Sequence, residues 1–258
     1  MSYQGPALDV PRLFADLPPL AAAAGFTVES FGEAAGYPLL VLRRPSLLPA
    51  APTLYLSSGI HGDEPAGPLA LLELLRARAF ADHFNWLLFP ALNPGGLLRK
   101  TRENPDGFDV NRDYRHSLTP EARQHLALLS SEKAAGRGVY ALCLCLHEDW
   151  ESKGFYLYEL NQTPQPLIGP AILAAVDPIC GVDRSPVIEG MEAQDGLITR
   201  PIAALADRPQ YAEAMWLALQ HTPHNITLEA PSAQPLETRV AAHLAAVRTA
   251  LAAWEKTI

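Results

Sequence analysis

Short β-branched or aromatic runs alternate with segments of helical period along the chain. This predicts an α/β fold with a mostly parallel or mixed sheet covered by helices on both faces. Two further observations agree. The 258 residues are enough for one large core. Apolar residues make up 48% of the chain against 19% charged, which excludes a disordered or solvating polypeptide. No repeat, low-complexity linker or charge block interrupts the pattern. A single domain over 1–258 is therefore expected, with residues 1–24 as a peripheral extension.

The first twenty residues carry Asp9, Arg12 and Asp16 among four prolines and contain no unbroken apolar stretch, so they do not read as a signal peptide. Strands are expected over 28–31, 39–42, 53–57 and 85–89, then over 139–146, 155–158 and 225–228. A helix over 67–81 follows Pro65, a residue favoured in the first helical turn. Thr119-Pro120-Glu121 starts a second helix that stops near Gly136, and 166–176 reads as a third. In the last helix Leu236, Val240, Leu244, Val247, Leu251 and Trp254 recur every three or four residues. Two irregular stretches remain. The one over 93–117 is long, polar and rich in Gly, Asn, Asp and Arg, as functional loops are; the other covers 180–209.

Composition narrows the function. With 20 Lys and Arg against 28 Asp and Glu, the net charge of −8 excludes a nucleic-acid partner, which demands clustered positive charge. Cys143, Cys145 and Cys180 are too few for a disulfide framework and point to a reducing compartment, the cytoplasm. The longest apolar stretches fall short of a bilayer crossing, so no membrane partner is expected. Of the 24 prolines, Pro65 and Pro120 open helices.

The chemistry gathers at strand ends. The strand ending in Ser57-Ser58-Gly59 leads into Ile60-His61-Gly62-Asp63-Glu64-Pro65 and then a helix. In open α/β sheets, ligands bind beyond the carboxyl ends of strands. There an imidazole and a carboxylate three residues apart can share one zinc ion. Alone, such a pair is more often a turn with a helix-capping acid. His147, after the most apolar strand, occupies the same topological position and is the candidate third ligand. Two His and one Glu with an open fourth position make a catalytic rather than a structural zinc set. Cys143 and Cys145 share the strand face of His147, which opens a thiolate site as a rival; flanking leucines favour core packing for both. Glu229, in Thr227-Leu228-Glu229, is a further strand-end acid suited to general base and then general acid work. The cations of Arg99-Lys100-Thr101-Arg102, with Asn111 and Arg112, suit an anionic substrate, since Arg can hold a carboxylate by paired hydrogen bonds.

Together these residues resemble the zinc carboxypeptidase family of metallopeptidases. The resemblance rests on His61-Gly62-Asp63-Glu64, Arg99-Lys100-Thr101-Arg102, Gly107-Phe108-Asp109-Val110-Asn111-Arg112, Leu146-His147 and Thr227-Leu228-Glu229, in the family's order and covering about 53–231. It implies a three-layer α/β/α sandwich around a mixed, twisted eight-stranded sheet. It also implies one Zn²⁺ per chain on His61, Glu64 and His147, Arg102 as the stabiliser of the oxyanion, and Asn111 and Arg112 as the clamp on a terminal carboxylate. Glu229 becomes the general base and acid. Three features depart from the family's digestive members. Glu148 follows the third ligand where they carry a small residue, implying a more acidic subsite, and the gap from Glu64 to His147 is short, as in bacterial and acylase-like branches. Tyr211 falls in the stretch of the family's mobile substrate-binding tyrosine, but its own neighbourhood reads as a core or surface tyrosine.

The expected activity is hydrolysis of an amide bond beside a residue with a free carboxylate, by a carboxypeptidase acting on a peptide. The alternative is an N-acyl amino acid deacylase of the aspartoacylase and succinylglutamate desuccinylase type. The peptidase is favoured because the chain ends one helix beyond Glu229, without the deacylases' extra β domain, and because Arg99-Lys100-Thr101-Arg102 is peptidase-like. A catalytically silent zinc-binding module ranks last, since every ligand, Arg102 and Glu229 are present.

Overall fold

The computed structural model describes residues 8–257. In chain order the elements are α1 (Val10–Ala23), β1 (Thr27–Ala34), β2 (Tyr37–Arg44), β3 (Thr53–Ser58), α2 (Ala66–Arg76), β4 (Asn85–Phe89), α3 (Pro94–Arg99), α4 (Pro120–Ala134), β5 (Leu142–Asp149) and β6 (Tyr156–Asn161). There follow α5 (Gly169–Cys180), the short pair β7 (Val187–Ile188) and β8 (Met191–Glu192), β9 (Leu197–Thr199), α6 (Glu213–Gln220), β10 (His224–Pro231) and α7 (Leu236–Glu255). Eight strands form one sheet in the order β1-β2-β4-β3-β5-β10-β6-β9. It is mixed: β4, β3, β5 and β10 run parallel, while β2 meets β4 and β6 meets β10 antiparallel. The expected α/β class and eight-stranded mixed sheet are what the chain forms.

Strand alternation sorts side chains between two cores. Leu54, Leu56, Leu142, Leu144, Leu146, Ile226 and Leu228 pack under α1, α2, α5 and α7. Tyr55, Cys143 and Cys145 pack on the other face with Leu129 of α4 and Leu217 of α6. The same alternation puts His147, Thr227 and Glu229 on the α4/α6 side, where a cavity opens at the strand ends. The three cysteines are free and buried, so core packing is the role of Cys143 and Cys145.

Several boundaries move. Residues 10–24 are no peripheral extension: Val10, Leu13, Leu17 and Ala21, spaced three or four apart, are buried in the main core. The side chain of Asp9 caps α1 through the Arg12 amide at 3.0 Å, and the helix continues through Pro18 and Pro19, which sequence propensity argues against. The rest of that stretch, residues 1–7, lies outside the described residues. The strand expected over 139–146 begins at Leu142 and runs to Asp149, which takes His147 into the strand itself. The helix expected from 166 starts at Gly169 because the buried carboxylate of Glu159 accepts the Ile168 and Gly169 amides at 2.9 and 2.8 Å, a cap from a distant strand. Helix α2 stops at Arg76, short of 81, as the chain turns through a left-handed Arg78 (φ 49°).

Candidate metal centre

Strand β3 delivers its chain into the loop that carries His61 and Glu64, and Pro65 caps α2 directly behind them. That loop lies hard against the start of α3. A Cβ on Gly62 would sit 1.9 Å from the Gly96 carbonyl carbon, so only glycine permits this approach. Helix α3 is in turn held by the Asn93 side chain, which accepts the Gly96 amide at 2.8 Å. In the parallel register of β5 with β10, His147 pairs directly with Glu229. Residues 86 and 168 positions apart from His61 in the chain thus meet at one edge of the sheet.

The two imidazoles both turn Nδ1 toward one carboxylate. His61 Nδ1 lies 2.5 Å from Glu64 Oε1, and His147 Nδ1 lies 3.0 Å from Glu64 Oε2. The rings are 5.0 Å apart between centroids, and one ligand atom from each of the three residues falls within 4.8 Å of the others. All three are buried at 4% exposure or less, so these polar groups are desolvated for each other. Burial alone would lower the His61 imidazole, but Glu64 and Asp109 raise it to about 9. His147 moves up against the same burial penalty, again through Glu64. Glu64, despite its burial, is held well below the usual carboxylate range by the two imidazoles. The trio thus favours positive charge beside Glu64, and its buried N, N, O donor set fits a divalent cation.

The other expected site residues surround this centre. His61, Glu64, His147, Arg102, Asn111, Arg112 and Glu229 all line one cavity of about 480 Å³. Arg102 Nε donates to Asp109 Oδ2 at 3.0 Å, and its Nη1 stands 3.8 Å from Glu64. Asn111 Oδ1 accepts the Glu213 amide at 2.9 Å. That contact assigns the amide oxygen to α6 and leaves the NH₂ for the cavity. Arg112 is exposed in the cavity mouth. Glu229 is open to the cavity but deep in the protein. Burial, with Glu64 and Asp149 nearby, pushes its carboxyl up to about 8 against the pull of His147 and Arg102.

Two acids carry structural meaning that their sequence positions hide. Asp109 sits within the Gly107–Arg112 motif without an assigned role. In the fold it clamps Arg102 and lies 3.4 Å from His61 Nε2. Its carboxyl is held well below the usual range, as His61 and Arg102 outweigh burial. An outer carboxylate of this kind orients a ligand imidazole. The only signal for it was an Asp two residues before Asn111. Glu148 is the second case, and it corrects an expectation. The residue borders the cavity, but its side chain is fully buried and its carboxylate pairs with Arg239 of α7 and accepts the Ala66 amide at 2.6 Å. Both of its oxygens are thus engaged within the protein, whereas the expectation had given its charge to the substrate. Tyr211 is outside the cavity lining: its hydroxyl donates to the Ala206 carbonyl and its ring lies 5.0 Å from the Arg115 guanidinium carbon.

Residues 50–177 match the succinylglutamate desuccinylase/aspartoacylase catalytic domain. Carboxypeptidase SOL1 of Arabidopsis thaliana is 30% identical over 99 residues, 33% of this chain and 20% of that protein. Among solved structures, a candidate metallopeptidase from Shewanella denitrificans superposes with a TM-score of 0.81 at 24% identity, covering 95% of this chain and 90% of that one. A metallo-carboxypeptidase from Burkholderia cenocepacia superposes at 0.68 with 15% identity, covering 98% and 70%. Carboxypeptidase A from Helicoverpa armigera gives 0.64 at 15%, covering 96% and 71%. Among the described residues, no helix is long and apolar enough to cross a membrane.

Proposed function

We propose that this member of the zinc-carboxypeptidase-like family hydrolyses an amide bond next to a residue with a free carboxylate, acting as a single catalytic domain with one zinc ion. The observation that carries this reading is the convergence of His61, Glu64 and His147 on one buried point beside Glu229. His61, Glu64 and His147 would hold the metal, and a set with an open fourth side suits zinc. The chemistry such an ion supplies when bound is Lewis-acid activation of a water and of the scissile carbonyl.

The chain's own groups do the rest. Glu229 takes the water's proton and returns it to the leaving amine, a task that needs a carboxylate at the reacting centre with a raised affinity for protons. Arg102, kept in place by Asp109, offers its guanidinium to the oxygen on which negative charge develops. Asn111 presents its NH₂, and Arg112 its guanidinium, to the substrate's terminal carboxylate. Holding these groups together from five separate segments makes the attack on the bound substrate and the departure of the amine effectively intramolecular.

The carboxypeptidase reading is supported by the carboxypeptidase-type sandwich and by the SOL1 similarity. The deacylase reading is favoured by a specific observation of its own, the match of 50–177 to the desuccinylase/aspartoacylase catalytic domain. A hydrolysis screen of C-terminal peptides, muropeptide fragments and N-acyl amino acids, with and without a chelator, separates the two. Turnover of peptides that the chelator abolishes supports the carboxypeptidase. Turnover of acyl amino acids alone replaces it with the deacylase, and no turnover of any of them overturns both.

A further inference from the structure

Behind Asn111 lies a run of polar side chains that the proposed mechanism leaves unused. The hydroxyl of Tyr55, on β3, donates to Glu213 Oε1 at 2.5 Å and stands 3.2 Å from His125 Nε2. The other ring nitrogen, His125 Nδ1, is 2.7 Å from the Tyr114 hydroxyl. All four side chains are buried at 1% exposure or less, so no bulk water replaces a missing partner. Burial, with His221 nearby, brings the His125 imidazole down to about 3, so the ring is neutral and carries a single N–H. Because the Tyr55 proton goes to Glu213, Nε2 must be the ring's donor to the Tyr55 oxygen, and Nδ1 accepts from Tyr114. Every hydrogen bond in the run therefore points the same way, from Tyr114 to Glu213.

The run closes on itself. Tyr114 follows Asn111 by three residues, and the Glu213 amide donates to Asn111 Oδ1 at 2.9 Å. The Tyr114 amide also donates to the Tyr211 carbonyl at 3.3 Å, so residues 111–114 are tied to 211–213 at both ends. Ala212, at the start of α6, has no side chain that could cap the helix; Asn111 supplies that acceptor from the helical turn Val110–Arg112. Glu213 is thus fixed from two directions, its backbone by Asn111 and its carboxyl by Tyr55 of the strand that leads to His61. Burial draws that carboxyl up, against the pull of the Tyr55 and Ser57 hydroxyls. A core that needed only stability would fill this space with apolar side chains, since a buried polar chain offsets its desolvation only when every member is satisfied.

We propose that Glu213, backed by Tyr55, is a positioning residue that fixes the Asn111 side-chain amide with its NH₂ turned to the cavity, in the orientation that meets a terminal carboxylate. This deepens the hydrolase reading and rests on it. Neither Glu213 nor Tyr55 lines the cavity, so both act through Asn111.

A double-mutant cycle on the substrate found in the hydrolysis screen tests this. Tyr55→Phe should raise KM by about 3- to 10-fold with a smaller effect on kcat, the value of one hydrogen bond lost behind the clamp. In an Asn111→Ala background the same change should leave KM where Asn111→Ala alone puts it, while its cost in urea unfolding persists. Glu213→Gln keeps an oxygen for Tyr55, and its new NH₂ can donate to the buried Ser57 hydroxyl, which has no hydrogen-bond partner among the described residues. It should therefore stay close to the wild-type KM, whereas Glu213→Ala should match or exceed Tyr55→Phe. Additive KM increases in the two backgrounds, or an unchanged KM in Tyr55→Phe, overturn the proposal and leave the hydrolase reading standing. If no substrate turns over, the hydrolase reading falls, and hydrogen exchange of the Glu213 amide decides the link by itself. Exchange about 3- to 10-fold faster in Tyr55→Phe, at Glu213 but not along the rest of α6, supports it. Unchanged protection, or protection lost evenly along α6, overturns it.

Discussion

Glu148 and Arg239 form an ion pair inside the protein, and the second oxygen of Glu148 accepts the amide of Ala66, two residues after Glu64. One buried carboxylate thus ties the strand bearing His147 to the start of the helix behind Glu64, and both to α7. Burial pushes the Glu148 carboxyl up to about 7 even with Arg239 beside it. Such a pair adds little net stability but is costly to break on one side only.

Glu148→Ala is therefore expected to lose about 3 kcal/mol of stability, since Arg239 is left partly buried and unpaired. It should also weaken metal binding by about 10- to 100-fold, as an outer group that orients ligands does. Glu148→Gln keeps an oxygen for Ala66 and should lose less of the metal affinity. Chemical denaturation and chelator competition measure the two effects. Unchanged metal affinity in Glu148→Ala would show that the pair has no part in ordering the ligands.

Purified protein should hold about one zinc ion per chain, as three protein ligands suggest. His61→Ala with His147→Ala should abolish that content. Metal analysis of the double variant checks this, and full retention of zinc would remove both residues from the ligand set.

Glu229→Gln should keep its metal and lose about 10²- to 10⁴-fold in kcat. Glu229 must be ionised to accept a proton, so kcat/KM should rise as pH climbs through its titration. Its carboxyl stands at about 8 in the metal-free protein. A neighbouring dication favours the carboxylate, so the acid limb should fall below that pH. A limb of unchanged position and height in Glu229→Gln would assign it to another group.

Arg112→Ala should raise KM by about 10- to 100-fold with a smaller effect on kcat, because its guanidinium is offered to the part of the substrate that does not change in the reaction. Steady-state kinetics on the substrate found in the screen measure the split. A loss confined to kcat would move Arg112 to the transition state.

His243 is fully buried in α7, and neither ring nitrogen reaches hydrogen-bond geometry. Burial draws its pKa down to about 3. The unfolded chain takes up this proton below about 6.5 while the folded one does not, so the histidine subtracts stability as pH falls from about 6.5 toward 3. His243→Leu should be about 1 kcal/mol more stable than wild type at pH 7, and the gap should widen by up to about 1.4 kcal/mol per pH unit below 6.5. Urea unfolding at pH 7 and pH 5 measures both; a gap of constant size would mean that His243 has a proton partner.

The sequence by itself determined the elements whose signals are local. β4 is Asn85–Phe89 as its aromatic and aliphatic run predicts, α4 starts after the Thr119 cap, and the apolar period of α7 needs nothing beyond its own residues. His61, Glu64, His147 and Glu229 were legible for a related reason: each stands where an apolar strand gives way to polar residues, and a sheet delivers such ends to one edge. Tertiary structure alone decided the rest. The start of α5 depends on Glu159 from a neighbouring strand. The place of α1 in the core depends on a surface supplied by the rest of the fold. Glu148 looked like a pocket acid because it follows a ligand, yet strand alternation turns adjacent side chains to opposite faces, and its partner Arg239 lies 91 residues away. A residue's type is written in the chain, but its charge environment is set by neighbours that folding brings from far along it.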